Sequence, residues 1–148
     1  MTQQAPSDRL RAARERLVLT PEEVANQIGL SANWYYDLEA YPDEIVSTVS
    51  LAHLRLLGQA LQLEPATILT GEAAPSTAHL EFPDVARGLQ QKMDAEGLDA
   101  ETLGERVGWT ISRVLVDPQE LWNFNVTGFR DVCAAAGVDW LAALPRLP

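Results

Sequence analysis

The sequence predicts an all-α chain of two tandem five-helix modules, and three observations carry that expectation. The chain resembles itself: LRAARERLVLTPEEVANQIGLS from Leu10 aligns without a gap on LQQKMDAEGLDAETLGERVGWT from Leu89, and LRLLGQALQLEPATIL from Leu54 aligns on FRDVCAAAGVDWLAAL from Phe129. Self-similarity of this kind reads as an internal duplication. Apolar residues recur at helical spacing throughout, and no alternating run signals a strand. Helix starts of Ser, Thr or Asp and stops of Gly punctuate both halves in the same order. With 148 residues and 47% hydrophobic content, the chain can fill one ordinary core or two small ones.

The elements follow in order. A first helix turns Leu10, Ala13 and Leu17 inward. Thr20 then caps a second, with Pro21 at its first position and Glu23 at the capping-box position. Val24, Ala25 and Ile28 give that helix its apolar face, and Gly29 ends it. Ser31 caps a third helix running from about Ala32 to Glu39, after which Ala40 to Glu44 reads as a loop. A fourth starts near Ser50 with Leu54, Leu57 and Leu61 inward, and Pro65 opens a short fifth. The segment GEAAPSTAH is small and polar around Pro75, so the division is a first domain at 6–71, a linker at 72–79 and a second domain at 80–146. In the second domain Asp99 is the cap, Leu103 and Val107 are core, Gly108 is the stop and Thr110 caps the next helix, which Pro118 limits. Thr127 is read as the cap of a helix containing Phe129, Val132, Ala135 and Ala136, which Gly137 closes, and Asp139 caps the last one.

The stretch Leu19 to Glu39, LTPEEVANQIGLSANWYYDLE, resembles the pattern LTQxELAxxxGVSxxxISxxE of the XRE family, the helix-turn-helix proteins of the Cro and lambda-repressor type. The later LRLLGQALQLEPATIL resembles that family's closing helices, and the second half matches more loosely, as a degenerate copy. The resemblance implies lambda-repressor-like helix-turn-helix modules whose second motif helix enters the major groove of operator DNA while the first crosses the backbone. On that reading the base-facing positions are Ala32, Asn33, Tyr36 and Asp37, with the Asn33 amide suited to adenine and with Arg9 and Arg11 on the backbone. Pro21 stands where the family usually has a phosphate-contacting glutamine.

Charge argues for a different use of the scaffold. Eleven Lys and Arg oppose twenty-one Asp and Glu, a net charge of -10, so the average field repels phosphate backbones and favours basic partners. No Lys or Arg occurs between Ala32 and Arg55, yet phosphate neutralisation supplies essentially all non-specific DNA affinity. Of the consecutive aromatics Trp34, Tyr35 and Tyr36, the core claims Tyr35, which leaves Trp34 and Tyr36 for solvent or a partner. Asp37, Asp43 and Glu44 add negative charge beside them. In the second copy Ile111 and Val116 lie partly outside the apolar face and are read as packing against the other copy, a second chain or a partner.

The expectation is therefore a non-enzymatic regulatory protein of antitoxin, immunity or antagonist type, binding a basic protein through Trp34, Tyr36, Asp37, Asp43, Glu44, Ile111 and Val116. The alternative is a DNA-binding regulator using Arg9, Arg11, Ala32, Asn33 and Tyr36, with the second copy mediating a homodimer. Arg9, Arg11, Arg14 and Arg16 together are read as solvated helix surface. His53 and His79 lack ligand-spaced neighbours, Cys133 reads as a buried small hydrophobe, and no glycine-rich phosphate loop occurs, so no cofactor, metal or catalytic residue is expected. Asn125-Val126-Thr127 matches a glycosylation acceptor but lacks a secretory context. A single cysteine and the absence of a signal-like or membrane-length apolar run point to the cytoplasm, away from membranes.

Overall fold

The computed structural model describes residues 4–76 and 78–148. They form eleven α-helices and one 3-10 helix, with no strand among the described residues. The fold is all-α, in two compact units: Met1–Ala74 with Pro145–Pro148, and Pro75–Leu144.

Unit 1 runs α1 (Pro6–Arg16), α2 (Pro21–Ile28), α3 (Ala32–Ala40), α4 (Glu44–Thr48), α5 (Leu51–Leu61) and α6 (Pro65–Thr70). The caps form as their residue types require. Thr20 Oγ1 accepts from the Glu23 N–H at 3.1 Å while the Glu23 carboxylate accepts from the Thr20 N–H at 3.2 Å. Ser31 caps α3 by accepting from the Trp34 N–H at 3.2 Å, and Ser50 caps α5 by accepting from the His53 N–H at 3.2 Å. The core is built from Leu10 of α1, Val24 of α2, Tyr35 and Leu38 of α3, Leu54 and Leu57 of α5, and Ile68 of α6, all buried. The segment 145–148 completes the unit: the Leu147 N–H donates to Glu64 Oε2 at 3.1 Å. Leu147 Cδ2 lies 3.2 Å from where a Cβ on Gly58 would stand.

Unit 2 runs α7 (Phe82–Glu96), α8 (Ala100–Val107), α9 (Ser112–Val116), the 3-10 helix (Pro118–Asn123), α10 (Val126–Ala136) and α11 (Trp140–Ala143). Its core gathers Val85 and Leu89 of α7, Leu103 of α8, Val114 of α9, and Phe129 and Val132 of α10. Gly88 allows α7 to lie directly on the end of α10, because a Cβ there would stand 2.4 Å from the Ala136 carbonyl oxygen.

Each unit thus has six elements where five were expected. The additions are α4, which starts at the last residue of the loop read at Ala40 to Glu44, and the 3-10 helix, which starts at Pro118 where no element was expected. Asp43 gives α4 no side-chain cap, and burial of Ile45 holds it. In unit 2 Asp117 caps the 3-10 helix by accepting from the Gln119 N–H at 3.1 Å, and Leu121 is buried. Two expected caps are also displaced. Asn125, not Thr127, caps α10, accepting from the Gly128 N–H at 2.7 Å, and Ile111 rather than Thr110 precedes α9, without a side-chain cap. The left-handed backbone positions recur in matching places. Val18 (φ 56°) corresponds to Gly97 (φ 65°), Gly29 (φ 74°) to Gly108 (φ 87°), and Gln62 (φ 55°) to Gly137 (φ 72°). No helix among the described residues is long and apolar enough to cross a membrane.

Candidate protein interface

The basic residues of α1 face into unit 1 more than their sequence suggests. Arg14 forks onto Glu39 of α3, Nε to Oε2 at 2.7 Å and Nη2 to Oε1 at 2.9 Å, and its Nη1 donates to the Leu19 carbonyl at 2.9 Å. Arg11 donates to the Glu39 main-chain carbonyl at 3.0 Å, with its Nε 3.5 Å from the carboxylate. Burial would push the Glu39 carboxyl up, but the hydrogen bond from Arg14 and the charges of Arg14 and Arg11 outweigh it and hold the group below the usual carboxylate range. The Tyr35 hydroxyl is buried with no hydrogen-bond partner among the described residues. Burial pushes its pKa up.

Arg9 points another way. Its guanidinium donates to the carbonyls of Ile68 at 2.8 Å and Leu69 at 2.9 Å, and to Gln4, so it satisfies carbonyls at the end of α6 that have no helical partner. Arg9 and Arg14 are therefore structural groups and not the solvated surface expected, and the backbone-contact role read for Arg9 loses its free guanidinium. Arg11 keeps half its side chain exposed.

Across α2 and α3 the outward surface is aromatic and acidic. Asn33, Tyr36 and Asp37 are exposed, whereas Ala32 is half-buried. The Tyr36 hydroxyl donates to the Glu22 carboxylate of α2, which ties the ring across the two helices while 44% of the residue stays exposed. That hydrogen bond holds the Glu22 carboxyl below its ordinary range and raises the Tyr36 hydroxyl. Trp34 is half-buried, its ring edge-on to His53 with centroids 6.3 Å apart. Asp43 is exposed and Glu44 half-buried at the start of α4. Six carboxylates lie between Arg16 and Arg55, at positions 22, 23, 37, 39, 43 and 44, with no Lys or Arg among them. Among the described residues, Glu39 alone of the six has an arginine within salt-bridge distance. Tyr41, just beyond α3, is a further aromatic left 58% exposed and was not singled out from sequence. Its signal was an aromatic inside the Ala40 to Glu44 loop, immediately before Pro42.

Unit 2 corrects one expected contact residue. Ile111 is 1% exposed, its Cγ1 3.8 Å from where a Cβ on Gly104 would stand, so it is a core residue closing α8 onto the start of α9. α9 begins only after it, at Ser112, so the helical spacing that set Ile111 partly outside the apolar face does not apply to it. Val116 is 89% exposed, beside a shallow depression of 300 Å³ lined by Ser112, Arg113, Asp117 and Glu120. A cleft of 640 Å³ lies along α8, lined by Glu101, Glu105, Trp109 and Thr110 among others. The Trp109 indole N–H donates to Asp131 at 3.0 Å.

The remaining chemistry-bearing groups have structural surroundings. His53 Nδ1 lies 3.2 Å from Ser50 Oγ, and His79 Nδ1 lies 2.9 Å from the Ala142 carbonyl. Cys133 is fully buried, and that burial pushes its thiol up to about 12, far from a reactive thiolate. Asn125 of the acceptor triplet uses its side chain as the α10 cap. No group of His, Cys, Asp and Glu suited to a metal ion occurs among the described residues. No family model matches the chain, and no curated protein and no solved structure matches it either.

Proposed function

We propose that this chain is a non-enzymatic regulatory protein on an XRE-like helix-turn-helix scaffold, with α2 and α3 as the motif of unit 1 and α8 and α9 as a degenerate copy, and that it acts by binding a basic protein. The observation that carries the reading is the α3 surface. The positions that the family resemblance turns toward DNA hold exposed Tyr36 and Asp37, with Tyr41 and Asp43 following and no cation on the helix. Of the α1 arginines, Arg9 is engaged by α6 carbonyls and Arg14 by Glu39, while Arg11 meets Glu39 and stays half exposed. DNA affinity starts from phosphate neutralisation, so this surface is poorly suited to it and well suited to cations on a protein. The matching order of caps and left-handed positions in the two units supports the duplication. Trp34, Asp43, Glu44 and the exposed Val116 remain partner-contact residues in this reading, and Ile111 does not.

The test is a titration of the full chain with duplex DNA from upstream of its own gene and with a random duplex, across a salt series. Binding to neither at low salt is the expected result. Tight, salt-sensitive binding to the upstream duplex, weakened by Asn33→Ala, would establish the DNA-binding alternative, for which the exposed Asn33 amide is the supporting feature.

A further inference from the structure

We propose that the seam between the end of α5 and the start of α6 is a receptor for a short extended Leu-Pro segment of a partner protein, and that residues 145–148 are its built-in, displaceable occupant. The proposal is independent of the acidic α3 surface. The seam has two recognition elements. Gly58 carries no side chain, so Leu147 and Pro65 converge over its backbone: a Cβ there would stand 3.2 Å from Leu147 Cδ2 and 3.5 Å from Pro65 Cδ. Glu64 holds the N-cap position of α6 yet makes no side-chain cap bond, and its Oε2 instead accepts the Leu147 main-chain N–H at 3.1 Å. A dent for an apolar side chain beside an acceptor for a main-chain N–H is how extended peptides are read.

The occupant shows what the seam selects. Pro145 and Pro148 each fix their own φ at about −65° and hold the residue before them extended. Leu144 leads in at φ −63° and ψ 134°, close to polyproline II. A segment so ordered beforehand loses little conformational freedom on docking. Its hold is nevertheless partial: Pro145 is buried, Arg146 and Leu147 are half-buried and Pro148 is exposed. Releasing the segment uncovers the seam and leaves the buried side chains of α1 to α6 in place. A tethered occupant acts at an effective concentration on the order of millimolar, so it closes the seam to weak ligands and yields to a partner segment that brings further contacts.

The experiment titrates the isotope-labelled full chain with the peptide Leu-Pro-Arg-Leu-Pro and follows amide shifts by NMR. Leu147→Asp sets a carboxylate against Glu64 and should free the seam. That variant is expected to bind the peptide about ten-fold more tightly than wild type, with the largest shifts at Gly58, Leu63 and Glu64. Adding Glu64→Ala should weaken the peptide by about ten-fold. A peptide of the same charge, its second leucine replaced by glycine, should not bind. Circular dichroism melts establish that each variant is folded, and Leu147→Ala, expected to open the seam by about three-fold, is the milder substitute. Equal affinity of wild type and the folded Leu147 variants overturns the displaceable occupant. Equal binding of the two peptides, or shifts confined to α2 and α3, overturns the seam and reduces the effect to attraction of the peptide's arginine. No binding to any folded variant overturns the proposal outright. None of these outcomes decides the α3 reading, which the DNA titration tests.

Discussion

A carboxylate that is only 8% exposed must have its charge answered from within the protein, and Glu39 is answered by two hydrogen bonds from Arg14 at 2.7 and 2.9 Å. Removing one member of such a pair leaves the other buried and unmatched, so Glu39→Ala is expected to destabilise unit 1 by about 3 kcal/mol in urea unfolding. The folded-state pKa of Glu39 is depressed, so its contribution is complete above the carboxylate pKa of the unfolded chain. It fades as pH falls through the lower folded value. Acid titration of unfolding should therefore show wild-type stability falling in that window, with a shallower fall in Glu39→Gln. Val18 is the opposite case, an 86% exposed β-branched residue held at φ 56° with no compensating burial. Val18→Gly is expected to raise the unfolding free energy by about 1 kcal/mol, since glycine adopts that conformation without the Cβ clash, as Gly97 does in unit 2. Glu39 was legible as the last letter of a motif, but its partner was not. The four arginines of α1 look alike in sequence, and only the packing of α1 against α3 and α6 decides which of them turn inward.

Most elements announced by a cap were legible, the 3-10 helix capped by Asp117 excepted, and α4, held by packing, was not. Thr20, Ser31, Asp99 and Asp139 cap the helices expected of them, and Gly29, Gly108 and Gly137 end theirs. The helix α4 has five residues, too few for helical periodicity to register, and it forms because Ile45 is buried. The misplacement of Ile111 has another origin: the residue stands before the first turn of α9, so helical spacing counted through it does not describe its surroundings, and packing against α8 buries it. Helix contact also dictates what a single methyl group costs. A Cβ at residue 88 would stand 2.4 Å from the Ala136 carbonyl oxygen, which is main chain and cannot swing aside. Gly88→Ala is expected to force α7 away from α10 and to destabilise unit 2 by about 2 kcal/mol, read from the loss of the unfolding transition followed by tryptophan fluorescence.

At the scale of the whole chain, a net charge of -10 means that the folded protein works against its own field. Screening relieves that repulsion, so Tm is expected to rise between low and physiological salt in calorimetry, while affinity for a basic partner falls over the same range. A Tm that falls with salt would mean that attractive pairs such as Arg14–Glu39 dominate instead. Neutralising an exposed carboxylate such as Asp37, which lies toward the C-terminal end of α3, should stabilise the chain while weakening its binding, the expected relation where a surface is kept for function. The all-α class was legible from periodicity and punctuation, whereas the membership of 145–148 in unit 1 was not, because no local signal marks a contact spanning a sequence separation of 83. That contact has a consequence for synthesis. The ribosome delivers α1 to α6 early, but the strand of chain that meets Gly58 and Glu64 emerges only after every residue of unit 2. Unit 1 is therefore completed only after unit 2, and a nascent chain arrested before Leu147 should expose that seam to proteases that the full chain resists.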